Sequence, residues 1–182
     1  LAQKYGIPLI IDNAYGMPFP NIIYSDVTLN WHENIILCFS FSKVGLPGVR
    51  TGIIVAAPEV VKAVSSLNAI VNLSPTRFGA AIATPLLQDG RLKQLSDDVI
   101  RPFYRNQAQT AVSLLKRELG AYPLKIHKPE GAIFLWLWFE NLPVSSQTLY
   151  EMLKAEDTLI IPGEHFFVGI DTQDYPHASE CI

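Results

Sequence analysis

Six polar residues near the start of the chain could act together: Asp12, Tyr15, Ser40, Ser42, Lys43 and Arg50. They supply a carboxylate, a phenol, two hydroxyls, an amine and a guanidinium. Lys43 follows an apolar run, Ile35 to Phe39, that reads as a buried strand. Burying an ammonium there is costly, whereas open α/β sheets bind ligands beyond the carboxyl ends of their strands. Asp12 ends an earlier apolar run, Ile7-Pro8-Leu9-Ile10-Ile11, and Tyr15 follows in the next turn. Arg50 comes after Gly45-Leu46-Pro47-Gly48-Val49, a glycine-rich turn of the kind that can face a phosphate.

Each member alone has a plainer reading. A single Asp at a strand end commonly caps a turn, Tyr15 could be a core aromatic with its hydroxyl satisfied, and the glycines could only shape a loop. As a set they match what pyridoxal phosphate requires. Its aldehyde takes a lysine amine, and its pyridine nitrogen stays protonated beside a carboxylate. A phenol can donate to the ring oxygen O3′, and hydroxyls with an arginine bind a phosphate dianion through charge-assisted hydrogen bonds.

The elements that would position these groups follow from pattern. Ile7 to Ile11 reads as a parallel strand covered on both faces, with further strands at Ile35–Phe39 and Gly52–Ala57, which together indicate α/β. Leu1 to Tyr5 resembles a helix tail closed by Gly6. Pro58 suits a first helical turn, and the helix it opens is predicted over Glu59 to Asn72 with Val60, Val61, Val64, Leu67 and Ile70 inward. Ser74-Pro75 should start a second helix, Thr76 to Gln88, which Asp89-Gly90 breaks. Arg91 to Leu119 is a long helical region in which Pro102 should kink the helix or divide it. Strands are then predicted at Leu124–His127, Ile133–Phe139 and Leu159–Ile161, with a helix over Ser146 to Ala155 capped by Ser145 and loop thereafter. The stripe Phe134, Trp136 and Trp138 reads as core. The domain change is placed near Ile100 to Arg105.

Composition narrows the function classes. Of the 182 residues, 49% are hydrophobic and 17% charged, with a formal net charge of −3. A globular chain follows, and the absence of any Lys/Arg run argues against nucleic acid as a partner. The longest apolar run, Ala132 to Phe139, is far short of the ~20 residues that span a bilayer, so a soluble protein without a membrane partner is expected. Cys38 and Cys181 form no CxxC, which suits a reduced, cytoplasmic setting. The four histidines lack metal-like spacing. Leu1 and Ile182 both look like cut ends, and the expectation is an internal piece of a longer chain.

Asp12-x-x-Tyr15, followed 31 residues after the Asp by the lysine of Ser40-x-Ser42-Lys43 and then by Gly-Leu-Pro-Gly-x-Arg50, resembles the cofactor segment of fold-type-I pyridoxal-phosphate aminotransferases. Pro129-x-Gly131-x-x-Phe134 and Pro162-Gly163-x-x-Phe166 are similar to two later motifs of that family. Asn13 to Pro20 and Trp136-Leu137-Trp138 are most similar to its members that exchange an amino group between valine and pyruvate. The resemblance implies residues 1–100 as the later strands of a large cofactor-binding domain and residues 101–182 as a truncated α+β small domain. It implies Lys43 as the Schiff-base and proton-shuttling lysine, Asp12 on the pyridine nitrogen, Tyr15 on O3′, and Ser40, Ser42 and Arg50 on the phosphate. Small amino acids and 2-oxo acids are the implied substrates and a homodimer the implied assembly. Many relatives have one more residue between the lysine and the phosphate arginine. The family's carboxylate-binding arginine has no counterpart, since no arginine follows Arg117. Two other readings remain: another activity of this fold type, such as a C–S β-lyase, and the aminotransferase-like sensor domain of a transcription regulator.

Overall fold

The computed structural model describes residues 1–73, 76–170 and 175–182. The chain divides into two compact units. The first holds Leu1–Arg105 and Glu130–Ala132; the second holds Asn106–Pro129 and Ile133–Ile182.

The first unit is built on a three-stranded sheet of β1 (Leu9–Asp12), β2 (Ile35–Ser40) and β3 (Gly52–Val55), in that order. β1 and β2 run parallel with Asp12 opposite Cys38, and β3 runs antiparallel to β2 with Gly52 opposite Ser40. The end of β1, the end of β2 and the start of β3 therefore share one edge of the sheet. α1 (Ala2–Tyr5) ends at Gly6, whose positive φ of 61° lets its N–H reach back to the helix carbonyls. The core is a cluster of Phe19, Phe41, Val44, Ala83 and Leu92. The Phe19 and Phe41 rings stack at 5.3 Å, and Phe39 lies 5.7 Å from Phe19. Phe41 and Val44 bracket Ser42-Lys43, so the burial of these two side chains pins the turn that carries the lysine.

Helices follow the sheet: α2 (Pro58–Asn72), α3 (Phe78–Gln88), α4 (Arg91–Leu95) and α5 (Arg101–Glu118). Ser74-Pro75, expected to start α3, lies outside the described residues; Thr76 Oγ1 accepts from the Phe78 N–H at 3.2 Å. The break near Pro102 is a π-helical turn over Ser96–Ile100, just before the proline. Proline disrupts a regular helix chiefly through the carbonyl four residues back, here Asp98, and that carbonyl belongs to the widened turn.

Two expectations are corrected in this unit. β1 is not covered on both faces: Leu9 and Ile10 are exposed, Ile10 at 66%. The apolar stripe of α2 does not point into a core either, for Leu67 is 60% and Ile70 78% exposed and no residue of the helix is buried. Period identifies the apolar face of an element, but the partner must come from elsewhere in the fold.

The second unit holds a two-stranded antiparallel ladder, β4 (Leu124–Ile126) with β5 (Leu137–Phe139), together with α6 (Ser146–Ala155) and α7 (Pro176–Glu180). Ser145 caps α6 as expected, its hydroxyl accepting from the Thr148 N–H at 3.1 Å. The strand predicted over Ile133–Phe139 shrinks to its last three residues. Ala132 has φ 62°, and residues 130–132 instead bond the Ile22–Tyr24 segment of the first unit's own fold. Ile133 and Phe134 are exposed, so the aromatic stripe is not a continuous core. Leu159–Ile161 forms no strand, having no ladder partner among the described residues, and Leu159 is 74% exposed. The C-terminal segment is more than loop: a 3-10 turn at Gly163–Phe166 and α7 lead to Cys181, which is fully buried and bridges Trp138. Burial pushes the Cys181 thiol up to about 11, above its ordinary value.

Candidate functional site

Backbone hydrogen bonding assembles the candidate residues. The Asn13 N–H donates to the Cys38 carbonyl at 2.8 Å, extending the β1–β2 pairing one step past Asp12. Asp12 Oδ1 accepts from the Ala14 N–H at 3.1 Å, an Asx-type turn that fixes how the chain leaves the strand. Asn13 is buried and its amide donates to the Met17 carbonyl at 2.6 Å, closing the turn that presents Tyr15.

On the neighbouring strand, Ser40 Oγ accepts from the Ser42 N–H at 3.2 Å, which turns the chain into a short 3-10 helix, Ser42–Val44. Lys43 is half-buried there, and its Nζ lies 5.8 Å from the centroid of the Tyr15 ring. A second 3-10 turn, Pro47–Val49, leads to Arg50, which sits at φ 46° and ψ 48°. That left-handed conformation costs a residue other than glycine roughly 1–2 kcal/mol, and such positions cluster at ligand sites. The loop closes on the lysine turn through the Phe41 N–H, which donates to the Thr51 carbonyl at 3.2 Å.

Asp12, Tyr15, Ser40, Ser42, Lys43 and Arg50 thus stand at one end of one sheet. Among the described residues, the Lys43 amine, the Tyr15 hydroxyl and the Arg50 guanidinium make no hydrogen bond or ion pair within the chain, although Lys43 stands near the Tyr15 ring. An open phenol, amine and guanidinium, with the Asp12 carboxylate bonded only through Oδ1 to the turn after it, fit a ligand that carries an aldehyde, a basic ring nitrogen and a phosphate.

A cleft of about 580 Å³ lies nearby rather than at these groups, lined by Asn13, Met17, Asn21, Asp26, Asp97 and Arg101 among others. Its polar residues largely satisfy one another. Arg101 Nη1 donates to the Asn21 carbonyl at 2.8 Å, to Asn21 Oδ1 at 3.1 Å and to the Ile23 carbonyl, while the Asn21 amide donates to Asp97 Oδ1 at 2.7 Å. The Lys93 ammonium, with help from Asn21, holds the Asp97 carboxyl below the usual carboxylate range. These bonds strap the segment after Tyr15 to the π-helical turn. The strap was not legible beforehand, because Asn21 and Asp97 are 76 positions apart. Tyr24 lies 5.7 Å and 5.9 Å from the guanidinium carbons of Arg101 and Arg105. Burial raises its phenol despite those charges.

Residues 1–175 match the aminotransferase class I and II family. The chain belongs to that family. It is 46% identical to the valine–pyruvate aminotransferase of Escherichia coli K12 over all 182 residues, which is 43% of that relative's length. The crystal structure of valine–pyruvate aminotransferase from Salmonella typhimurium LT2 superposes with a TM-score of 0.90 at 46% identity, covering 99% of this chain and 46% of the other. A crystal structure from Psychrobacter arcticum 273-4, described as an amino-acid aminotransferase, gives 0.94 at 69% identity, with 99% and 41% covered. The chain therefore spans less than half the length of the relatives it matches.

Proposed function

We propose that the protein containing this chain is a pyridoxal-phosphate-dependent aminotransferase that exchanges an amino group between valine, or a similar small amino acid, and pyruvate. The observation that carries the reading is that Lys43, Tyr15 and Arg50, all unbonded within the described residues, stand with Asp12 at one sheet end. The match of this chain, along its whole length, to part of two valine–pyruvate aminotransferases supports it. When bound, pyridoxal phosphate supplies an aldehyde carbon that condenses with amines and a protonated ring that takes up the electron pair left at the substrate Cα.

In this reading Lys43 Nζ is the amine that links to that carbon. When not linked to that carbon, Lys43 Nζ would hold and move the substrate Cα proton. The Asp12 carboxylate keeps the ring nitrogen protonated by its charge. The Tyr15 hydroxyl donates toward O3′, and Ser40, Ser42 and Arg50 hold the phosphate. The first unit would be the later part of the large cofactor-binding domain and the second the small domain. The whole protein would act as a cytoplasmic homodimer, and a monomer in light scattering would remove the dimer from the reading.

The test is alanine formation from valine and pyruvate by the full-length protein. Lys43→Ala should abolish it while leaving the fold intact by circular dichroism. Alanine formed at the wild-type rate by that variant would sink the assignment. Pyruvate or thiol released from a cysteine-type substrate, with no alanine from valine, would point to lyase chemistry instead.

A further inference from the structure

Thr51 makes two hydrogen bonds that converge from opposite directions. Its carbonyl accepts from the N–H of Phe41, the residue just before Ser42-Lys43, at 3.2 Å. Its hydroxyl donates to the carbonyl of Val49, the residue just before Arg50, at 2.8 Å. Between the two partners lie residues 42–48, which include the lysine, and Arg50 stands just beyond the second. The hydroxyl has its place because residue 79, buried near the start of α3, is a glycine. A Cβ there would come within 2.0 Å of Thr51 Oγ1 and 2.7 Å of its Cβ.

We propose that Thr51, seated against Gly79, is a positioning residue for the phosphate grip: it clasps both ends of the loop and holds Arg50 in its left-handed backbone conformation. Arg50 has reason to leave that conformation, since its Cβ meets the neighbouring carbonyl there. Among the described residues, the backbone of Arg50 itself contributes one long bond, from its N–H to the Pro47 carbonyl at 3.4 Å. A bond from residue 51 to the carbonyl of residue 49 spans the strained peptide directly. Losing it would free the guanidinium to swing with the backbone. The inference rests on Arg50 binding the cofactor phosphate, as proposed above, and adds a residue that touches no cofactor.

The experiment compares the affinity of the full-length apoprotein for pyridoxal phosphate and for pyridoxal, which lacks the phosphate, by fluorescence quenching. Thr51→Val keeps the volume and removes the donor. It should weaken pyridoxal phosphate by about five- to tenfold, the worth of one hydrogen bond, and leave pyridoxal within about twofold. Thr51→Ser should restore the phosphate-dependent part, and Gly79→Ala should reproduce the Thr51→Val loss by displacing the hydroxyl. Equal losses for both ligands would reduce Thr51 to a general structural role and overturn the inference. So would unchanged pyridoxal phosphate affinity in Thr51→Val. Arg50→Ala separates this from the underlying reading: it should lose pyridoxal phosphate selectively. If it does not, the phosphate assignment of Arg50 falls and the clasp with it.

Discussion

Gly163→Ala should be far more damaging than the small change in side chain suggests. Gly163 is buried, and its N–H donates to the Cys181 carbonyl at 2.8 Å. A Cβ on residue 163 would lie 2.4 Å from that carbonyl oxygen, 2.7 Å from Cys181 Cβ and 2.8 Å from its carbonyl carbon. Two of these are backbone atoms, so no side-chain rotation relieves the clash. The two segments must part by about 1 Å to reach an ordinary contact, and overpacking of this kind costs roughly 1–3 kcal/mol. Parting them also stretches the Gly163–Cys181 bond, worth about 1 kcal/mol. It pulls on the pair of bonds between Leu137 and Ile182, at 2.8 and 2.9 Å, as well. The expected loss is about 2–4 kcal/mol, read as a lowered midpoint in urea denaturation of the full-length protein, with Gly48→Ala, where nothing stands near the new methyl, as the control. If Gly163→Ala unfolds within about 0.5 kcal/mol of the wild type, the ordinary range for harmless substitutions, the steric argument is wrong.

Two further tests concern the strap beside the cleft. Arg101→Met removes one nitrogen's bonds to the Asn21 and Ile23 carbonyls and should lower stability by about 2–3 kcal/mol, since charge-assisted bonds are lost together. Thermal denaturation of Arg101→Lys should show partial recovery, and a wild-type midpoint for Arg101→Met would refute it. Asp97 titrates below its unfolded value because Lys93 and Asn21 bond its charged form. Its contribution to stability is therefore present above about pH 4, the unfolded pKa, and fades as pH falls through the lower folded value. The stability gap between the wild type and Asp97→Asn should close over that acid range; a gap that stays constant throughout would count against the pairing.

The acid, phenol, lysine and arginine were legible because each follows an apolar run or a Gly/Pro turn within a few positions, and such local signals survive without knowledge of the fold. Helix α2 was legible from Pro58 and its period for the same reason. Its inward face was not, because an apolar stripe does not reveal whether this chain supplies the partner. Leu159–Ile161 failed for a related reason: β-branched composition favours a strand only where another strand offers hydrogen bonds. Within Ile133–Phe139 the bonding of residues 130–132 to Ile22–Tyr24 prevailed over propensity, as non-local contacts routinely do. The Asn21–Asp97–Arg101 strap and the seating of Thr51 against Gly79 depend on backbone proximity across long sequence separations, which no spacing pattern encodes.

The two pairings of β2 bear on how such a chain can vary. Asp12 is aligned with Cys38 and Gly52 with Ser40 by interstrand bonds, not by the length of the connections between them. The largely exposed stretch from Ser25 to Trp31 can thus gain or lose residues without changing the separation of acid from amine. A slip of β1 by a single position would instead turn the Asp12 side chain to the opposite face. Insertions in the connection should be tolerated, then, where a one-residue deletion inside Leu9–Asp12 would misplace the carboxylate in an otherwise folded sheet.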